Sequence, residues 1–301
     1  MRLPHLLGNE GLKQALSALP AGGLGSAVLI DGPAGSGKRT AAGDLCQALL
    51  CTGRDAPCGV CPACRRVAAG SHPDLFWLEE SELGKGVRLE QVRELRAQSF
   101  LRPSEAPYKI FVIPQADKLN LPSQNALLKV LEEPASSLFV LLCENRESML
   151  QTVRSRCKTF RMTPLSRQQL LSALAARCPG TTEAQRLQAA EASAGLLGRA
   201  LDILSGRESP AFGAARDFCG AISGGELAIF TVCQSLTRLS RREYADFCDE
   251  SCRLLLRQAR QEHDGRAITI FEYLEQQRSV LPQNPSVTAL AGALAAFCSV
   301  C

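Results

Sequence analysis

At 301 residues, with 46% hydrophobic and 21% charged side chains, the sequence has room for two or three compact domains and a globular rather than disordered composition. A net charge of +4 spread along the chain permits an acidic partner without marking a nucleic-acid surface. No apolar run approaches the roughly 18 residues of a membrane span. The opening MRLPHLLGNEGLKQAL lacks the basic head and apolar stretch of a secretion signal, so a cytoplasmic protein with no membrane contact is expected.

In chain order, SAVLID (26–31), DLFWLE (74–79), KIFVI (109–113), LFVLLC (138–143) and KTFRM (158–162) read as strands. Most are unbroken apolar runs, the pattern of a parallel sheet covered by helices on both faces. Helical stretches such as RTAAGDLCQALL and LPSQNALLKVLEE fall between them, which predicts a doubly wound α/β domain over residues 1–163. After Pro164 the strand signal stops. LSRQQLLSALAARC, TTEAQRLQAAEASAG and GLLGRALDIL predict a small helical unit, SGRESPAFG (205–213) a linker, and the remainder helices. Within Arg242–Gln261, Tyr244, Phe247, Leu254 and Leu255 share a helical stripe with Ser251 and Gln258.

The first strand runs into Gly32-Pro33-Ala34-Gly35-Ser36-Gly37-Lys38-Arg39-Thr40. Strand, glycine loop and helix form the setting in which backbone N–H groups and a helix N-terminus cradle phosphates, with Lys38 reaching the terminal ones. The residue after the lysine should carry a hydroxyl for Mg²⁺. Arg39 stands there instead, and Thr40 lies about 100° further round the helix. The third strand ends in Pro114-Gln115-Ala116-Asp117, where an ATPase needs an Asp-Glu pair. Proline has no side-chain oxygen, and glutamine cannot take a proton. Asp117 comes two residues late and reads as a cap or turn residue before LNLPSQ. ATP or ADP can bind such a loop, but hydrolysis should be very slow or absent.

Among fourteen cysteines, Cys51, Cys58, Cys61 and Cys64 stand as C-x6-C-x2-C-x2-C. Two overlapping knuckles with turn-forming Pro57, Gly59 and Pro62 suit a closed, structural four-thiolate Zn²⁺ site. An iron–sulfur cluster or redox pair is the alternative, and unliganded core cysteines the bland outcome. Cys46, Cys143, Cys157, Cys178, Cys219, Cys233, Cys248, Cys252, Cys298 and Cys301 have no ligand spacing and read as small apolar residues.

Several segments together resemble the bacterial clamp-loader subunits of DNA polymerase III, an AAA+ family. They are the cysteine module after the phosphate-loop helix, Ser71-His72-Pro73-Asp74, Asn125-Ala126-Leu127-Leu128-Lys129, Leu131-Glu132-Glu133-Pro134, and Thr152-Val153-Arg154-Ser155-Arg156-Cys157 with its Ser-Arg-Cys motif. The resemblance covers residues 1–205 strongly. It implies an AAA+ P-loop domain (1–163) with a zinc module at 51–64, a helical lid (164–207) and a helical collar domain (208–301). It further implies a hetero-pentamer with gamma/tau and delta subunits that places a sliding clamp on primed DNA, with Arg156 acting in trans as a finger on a neighbour's ATP. Arg154 more simply supports the loop. With Arg39, Pro114 and Gln115, the chain is similar to the delta-prime, stator type, the alternative being a motor-type gamma/tau ATPase that uses Asp117 and Thr40 as displaced ligands. Gly195-Leu196-Leu197-Gly198-Arg199-Ala200-Leu201 puts Gly198 where motor subunits carry a sensing arginine, with Arg199 next to it. Asn145 stands as a polar sensor or a loop cap. An independent zinc-dependent DNA-binding module is disfavoured by the lack of clustered Lys/Arg with interleaved aromatics.

Overall fold

The computed structural model describes residues 2–18, 24–78, 89–132, 136–262 and 265–300. The end of the second expected strand at Glu79, Glu133 and Pro134 of the fourth motif segment, and Cys301 lie outside the described residues. The chain divides into two compact units, residues 1–204 and 205–301.

In the first unit the order is α1 (Glu10–Ser17), β1 (Ala27–Asp31), α2 (Lys38–Leu50), α3 (Pro62–Ala68), β2 (Leu75–Trp77), α4 (Leu89–Ser99), β3 (Lys109–Ile113), α5 (Leu121–Glu132), β4 (Ser137–Cys143), α6 (Gln151–Arg154) and β5 (Lys158–Arg161). Helices α7 (Arg167–Arg177), α8 (Glu183–Ser193) and α9 (Leu197–Leu204) follow. The strands form one parallel sheet in the order β2-β3-β4-β1-β5, as the apolar runs predicted. Every residue of β1, β3 and β4 is buried, whereas edge strand β5 buries only Phe160. Alternation along the strands splits the core. Val28, Ile30, Val112 and Val140 pack with Leu45 of α2 on one face, and Leu29, Phe111, Phe139 and Leu141 pack with Leu127 of α5 on the other. On that second face Phe76, Phe111 and Phe139 stack across three strands at 5.0 and 5.4 Å.

The helices after β5 start where capping boxes place them. Ser166 pairs with Gln169 and Thr182 with Gln185, each satisfying two backbone donors at a helix start. Leu170, Leu174, Ala189, Ala190 and Ala200 form a small core of their own.

The second unit contains α10 (Pro210–Ala221), α11 (Glu226–Leu236), α12 (Arg241–Glu262), α13 (Gly265–Val280) and α14 (Val287–Val300). The expected linker is shorter than 205–213, because Ser209 caps α10 and Pro210 takes its first turn, where a missing N–H costs nothing. The α12 stripe is buried as its spacing predicted: Tyr244, Phe247, Ser251 and Leu255 are fully enclosed. Tyr244 donates to Gln277 Oε1 at 2.6 Å, and Gln277 Nε2 donates to the Leu290 carbonyl at 2.9 Å, so this core carries a satisfied polar chain. Cys233, Cys248, Cys252 and Cys298 are buried in the same core as small apolar residues. Burial pushes the Cys233 and Cys252 thiols up to about 12.

Candidate functional site

The glycine loop joins the end of β1 to the start of α2, at the C-terminal edge of the sheet where α/β folds place ligands. Gly35 and Gly37 adopt φ of 75° and 94°, a region that side chains resist, and Gly37 caps α2. A side chain at Gly32 would run into Met162, its Cβ lying 2.6 Å from that residue's. Lys38 folds back along the loop, donating to the carbonyls of Gly32 (2.6 Å) and Pro33 (2.9 Å). Burial lowers its pKa, against the opposing pull of Glu144, Asp117, Cys143 and Asp31. The Ser36 hydroxyl is buried with no hydrogen-bond partner among the described residues.

A cleft of about 320 Å³ opens over this loop. Its lining combines the polar residues of 34–40 with Pro114, Gln115, Glu144, His5 and Arg177, and the apolar Leu6, Leu7, Leu165, Leu197 and Leu201. A glycine loop beside leucines offers both chemistries that a nucleotide needs, for phosphates and base. The N-terminal segment is held over the cleft by Asp44 of α2, whose carboxylate accepts from the backbone N–H groups of His5 (2.8 Å) and Leu6 (3.0 Å) and meets His5 Nδ1 at 2.6 Å. At the start of α9, Gly198 N–H donates to the Gly35 carbonyl at 3.0 Å. A Cβ on Gly198 would lie 2.9 Å from Gly35 Cα, so the helix approaches the loop as closely as backbone allows.

Arg39 and Thr40 are both exposed and line the cleft, and the Arg39 guanidinium lies 5.5 Å over the Trp77 ring. Pro114 and Gln115 face the cleft from the end of β3. Asp117 does not line it. Its carboxylate accepts from the backbone N–H groups of Glu144 (3.2 Å) and Asn145 (3.1 Å), tying the turn after β3 to the turn after β4. Asn145 caps that second turn through Glu147 N–H at 3.0 Å. Arg199 is buried at the start of α9. Glu144, Asp44, His5 and Arg177 escaped the sequence reading. Position just past a strand end was the available signal for Glu144, and an acid flanked by the apolar residues of α2 the signal for Asp44.

The four cysteines come together. All four Sγ atoms lie within 4.8 Å of one another, with Cys58–Cys64 and Cys51–Cys61 each at 4.0 Å. A tetrahedral ion with bonds of about 2.3 Å needs sulfurs about 3.8 Å apart, so the cluster can hold a metal ion with little adjustment. Cys51 Sγ accepts from Gly53 and Cys58 N–H, Cys58 Sγ from Cys61 N–H, and Cys61 Sγ from Cys64 N–H, at 3.3–3.4 Å. Such bonds favour thiolates. The Cys64 N–H and further hydrogen bonds hold the Cys61 thiol down at about 5, and the Val60 and Cys61 N–H groups lower Cys58. Gly53 leaves the room: a Cβ there would sit 2.9 Å from Cys58 Sγ. Gln47 of α2 donates to the Cys64 carbonyl at 3.1 Å and anchors the knuckle.

Arg156 lies between α6 and β5, away from the cleft lining. It is partly exposed, bonded to Glu132 Oε1 (2.6 Å) and the Thr152 carbonyl (2.9 Å). Arg154 pairs with Glu147, which also meets Arg146. Of the Ser-His-Pro-Asp segment, His72 and Asp74 are buried while Ser71 and Pro73 are exposed. Asp74 is wholly buried and accepts from Ser104 (2.6 Å), Glu105 (2.8 Å) and Ala106 (2.9 Å) N–H groups.

A family model described as DNA polymerase III, delta subunit, matches residues 9–166. The DNA polymerase III subunit delta' of Pseudomonas aeruginosa is 41% identical over 134 residues, 44% of this chain and 41% of that protein. The DNA polymerase III subunit tau of Bacillus subtilis is 30% identical over 205 residues, 67% of this chain and 35% of that protein. The matched part is thus well under half the length of either relative. A gamma-subunit-related DNA polymerase III protein from Thermotoga maritima has a similar fold, with a TM-score of 0.50 at 15% identity over 97% of this chain and 98% of that one.

Proposed function

The chain belongs to the DNA polymerase III delta-subunit family, and from this premise we propose that it is a delta-prime, stator-type clamp-loader subunit acting in DNA replication. In this reading the cleft holds ATP or ADP without hydrolysing it, and Arg156 serves the ATP site of a neighbouring gamma/tau subunit. The observation that carries the reading is the composition of the cleft. The phosphate cradle and Lys38 are formed, while Arg39, Pro114 and Gln115 stand where Mg²⁺ and the attacking water would be held. Gly32, Gly35, Ser36, Gly37, Lys38, Arg39 and Thr40 would bind the phosphates.

The position of Arg156 supports the second half of the proposal. A guanidinium outside its own cleft, partly exposed and steadied by Glu132, has the reach and the constant charge that an arginine finger needs. The four-cysteine cluster would hold Zn²⁺ as a closed structural site, fastening the loop after α2 without taking part in chemistry. Helices α7–α9 would serve as lid and α10–α14 as collar in a hetero-pentamer with gamma/tau and delta subunits, meeting the sliding clamp and primed DNA through that cytoplasmic assembly.

The match to the tau subunit, which covers more of this chain than the delta' match, favours a second reading as a motor-type ATPase. Steady-state Mg-ATPase measurement on the isolated protein separates the two. The stator reading expects no turnover above background. Turnover that Lys38→Ala abolishes would overturn it.

A further inference from the structure

We propose that the cleft takes its nucleotide as the metal-free polyphosphate, with Arg39 supplying the positive charge that Mg²⁺ supplies in an ATPase. The inference rests on the reading of the cleft as a nucleotide site and concerns the ionic form of the ligand. Mg²⁺ needs oxygen ligands, usually a hydroxyl after the loop lysine and a carboxylate at the end of the neighbouring strand. Here the first position carries a guanidinium and the second a proline followed by an uncharged amide. A cation that repels the metal thus stands at the sequence position where an ATPase carries a metal ligand.

The same substitution removes the need for a metal. Lys38, Arg39 and Arg177 line the cleft, opposed among the described lining residues by the single carboxylate of Glu144. Asp117 and Asp31 do not line the cleft, although Lys38 feels their charge as it feels that of Glu144. Among the described lining residues three cations thus stand against one carboxylate, a balance that favours an anionic ligand. The exposed Arg39 guanidinium rests on Trp77, and turning it onto a phosphate oxygen would exchange that contact for a charge-assisted hydrogen bond. Trp77 is the one tryptophan in the chain, so this movement has its own optical signal.

The test titrates ADP into the full-length protein with excess EDTA and again with excess Mg²⁺, reading Trp77 emission and calorimetric heat. Affinity should agree between the two conditions within about threefold, with emission changing on binding. Arg39→Thr, which restores a hydroxyl, should weaken binding in EDTA by about tenfold or more and make binding rise with Mg²⁺. Glu144→Gln should tighten metal-free binding. Wild-type affinity that climbs tenfold or more with Mg²⁺ would overturn the inference and leave the nucleotide site standing. Arg39→Thr binding as well as wild type in EDTA would also overturn it. No binding of ADP under either condition would remove the nucleotide reading, and the inference with it.

Discussion

Replacement of Asp74 by asparagine should destabilise the first unit by about 3 kcal/mol, although the side chain keeps its shape. The carboxylate is wholly buried, with Oδ1 accepting from Ser104 N–H and Oδ2 from Glu105 and Ala106 N–H. Asparagine can place its oxygen at the two-donor position, which sets its NH₂ group against the Ser104 N–H. One charge-assisted bond of about 1.5–3 kcal/mol is lost, and a buried donor without a partner adds about 1 kcal/mol or more. For a unit of this size the thermal midpoint should fall by about 10 °C. Burial works against the ionised carboxyl, but the backbone donors from Ser104, Ala106 and Glu105 outweigh it and hold its pKa below the ordinary carboxylate range. A depressed folded pKa means that its contribution is complete above the unfolded value of about 3.9 and is lost as pH falls through the folded one. The gap between wild type and variant should therefore be full at neutral pH and close only in acid below about pH 4. Thermal melts of the full chain across pH, with hydrogen exchange at residues 104–106, measure both. Equal stability of the two proteins at neutral pH would refute the internal role given to Asp74.

Elemental analysis should find one equivalent of zinc, and Cys64→Ser should lose it and lower the thermal midpoint; visible absorbance from iron–sulfur chemistry would refute the assignment. Arg156→Ala removes a partly exposed ion pair and should change stability by no more than about 1 kcal/mol. In a reconstituted loader the same change should cut ATPase activity by about a thousandfold, without rescue by Arg156→Lys, and unaltered activity would refute the finger assignment. Gly198→Ala gains up to about 1 kcal/mol in helix propensity. Its methyl, however, would meet Gly35 backbone at 2.9 Å, at a cost of about 1–3 kcal/mol. Melts should thus show net destabilisation, and a stabilised variant would mean that α9 does not press on the loop.

Features set by local pattern were legible in the sequence. The central strands are continuous apolar runs because helices cover both faces, and the glycine loop announces itself because its backbone needs residues tolerant of positive φ. The knuckles were legible because their ligands are close in sequence. What escaped depends on pairing across long separations. Asp44 reads as one more polar residue of an amphipathic helix until the chain returns His5 and Leu6 to it, 39 and 38 residues away. The place of Asp117 in the sequence suggests a cap for its own turn, but its carboxylate reaches donors 27 and 28 residues on. The start of α10 is legible in Ser209-Pro210, although the surrounding residues have the composition of a linker.

The acids around the sheet edge decide how far an ATPase reading can be carried. Hydrolysis needs a carboxylate that faces the γ-phosphate and has a lone pair to spare for water. Asp44 spends its oxygens on the N-terminal segment and Asp74 on residues 104–106. Asp117 holds the turn after β4 through Oδ2 alone, but it does not line the cleft. Removing any of them would disturb the fold before it disturbed chemistry. Glu144 is the one carboxylate among the described residues that line the cleft. A motor-type mechanism therefore has to run through Glu144, with Lys38 close enough to feel its charge. Glu144 acts on Lys38 through its charge, since the hydrogen bonds of the lysine go to the Gly32 and Pro33 carbonyls. An acid in that place keeps the cradle from repelling itself until phosphates arrive.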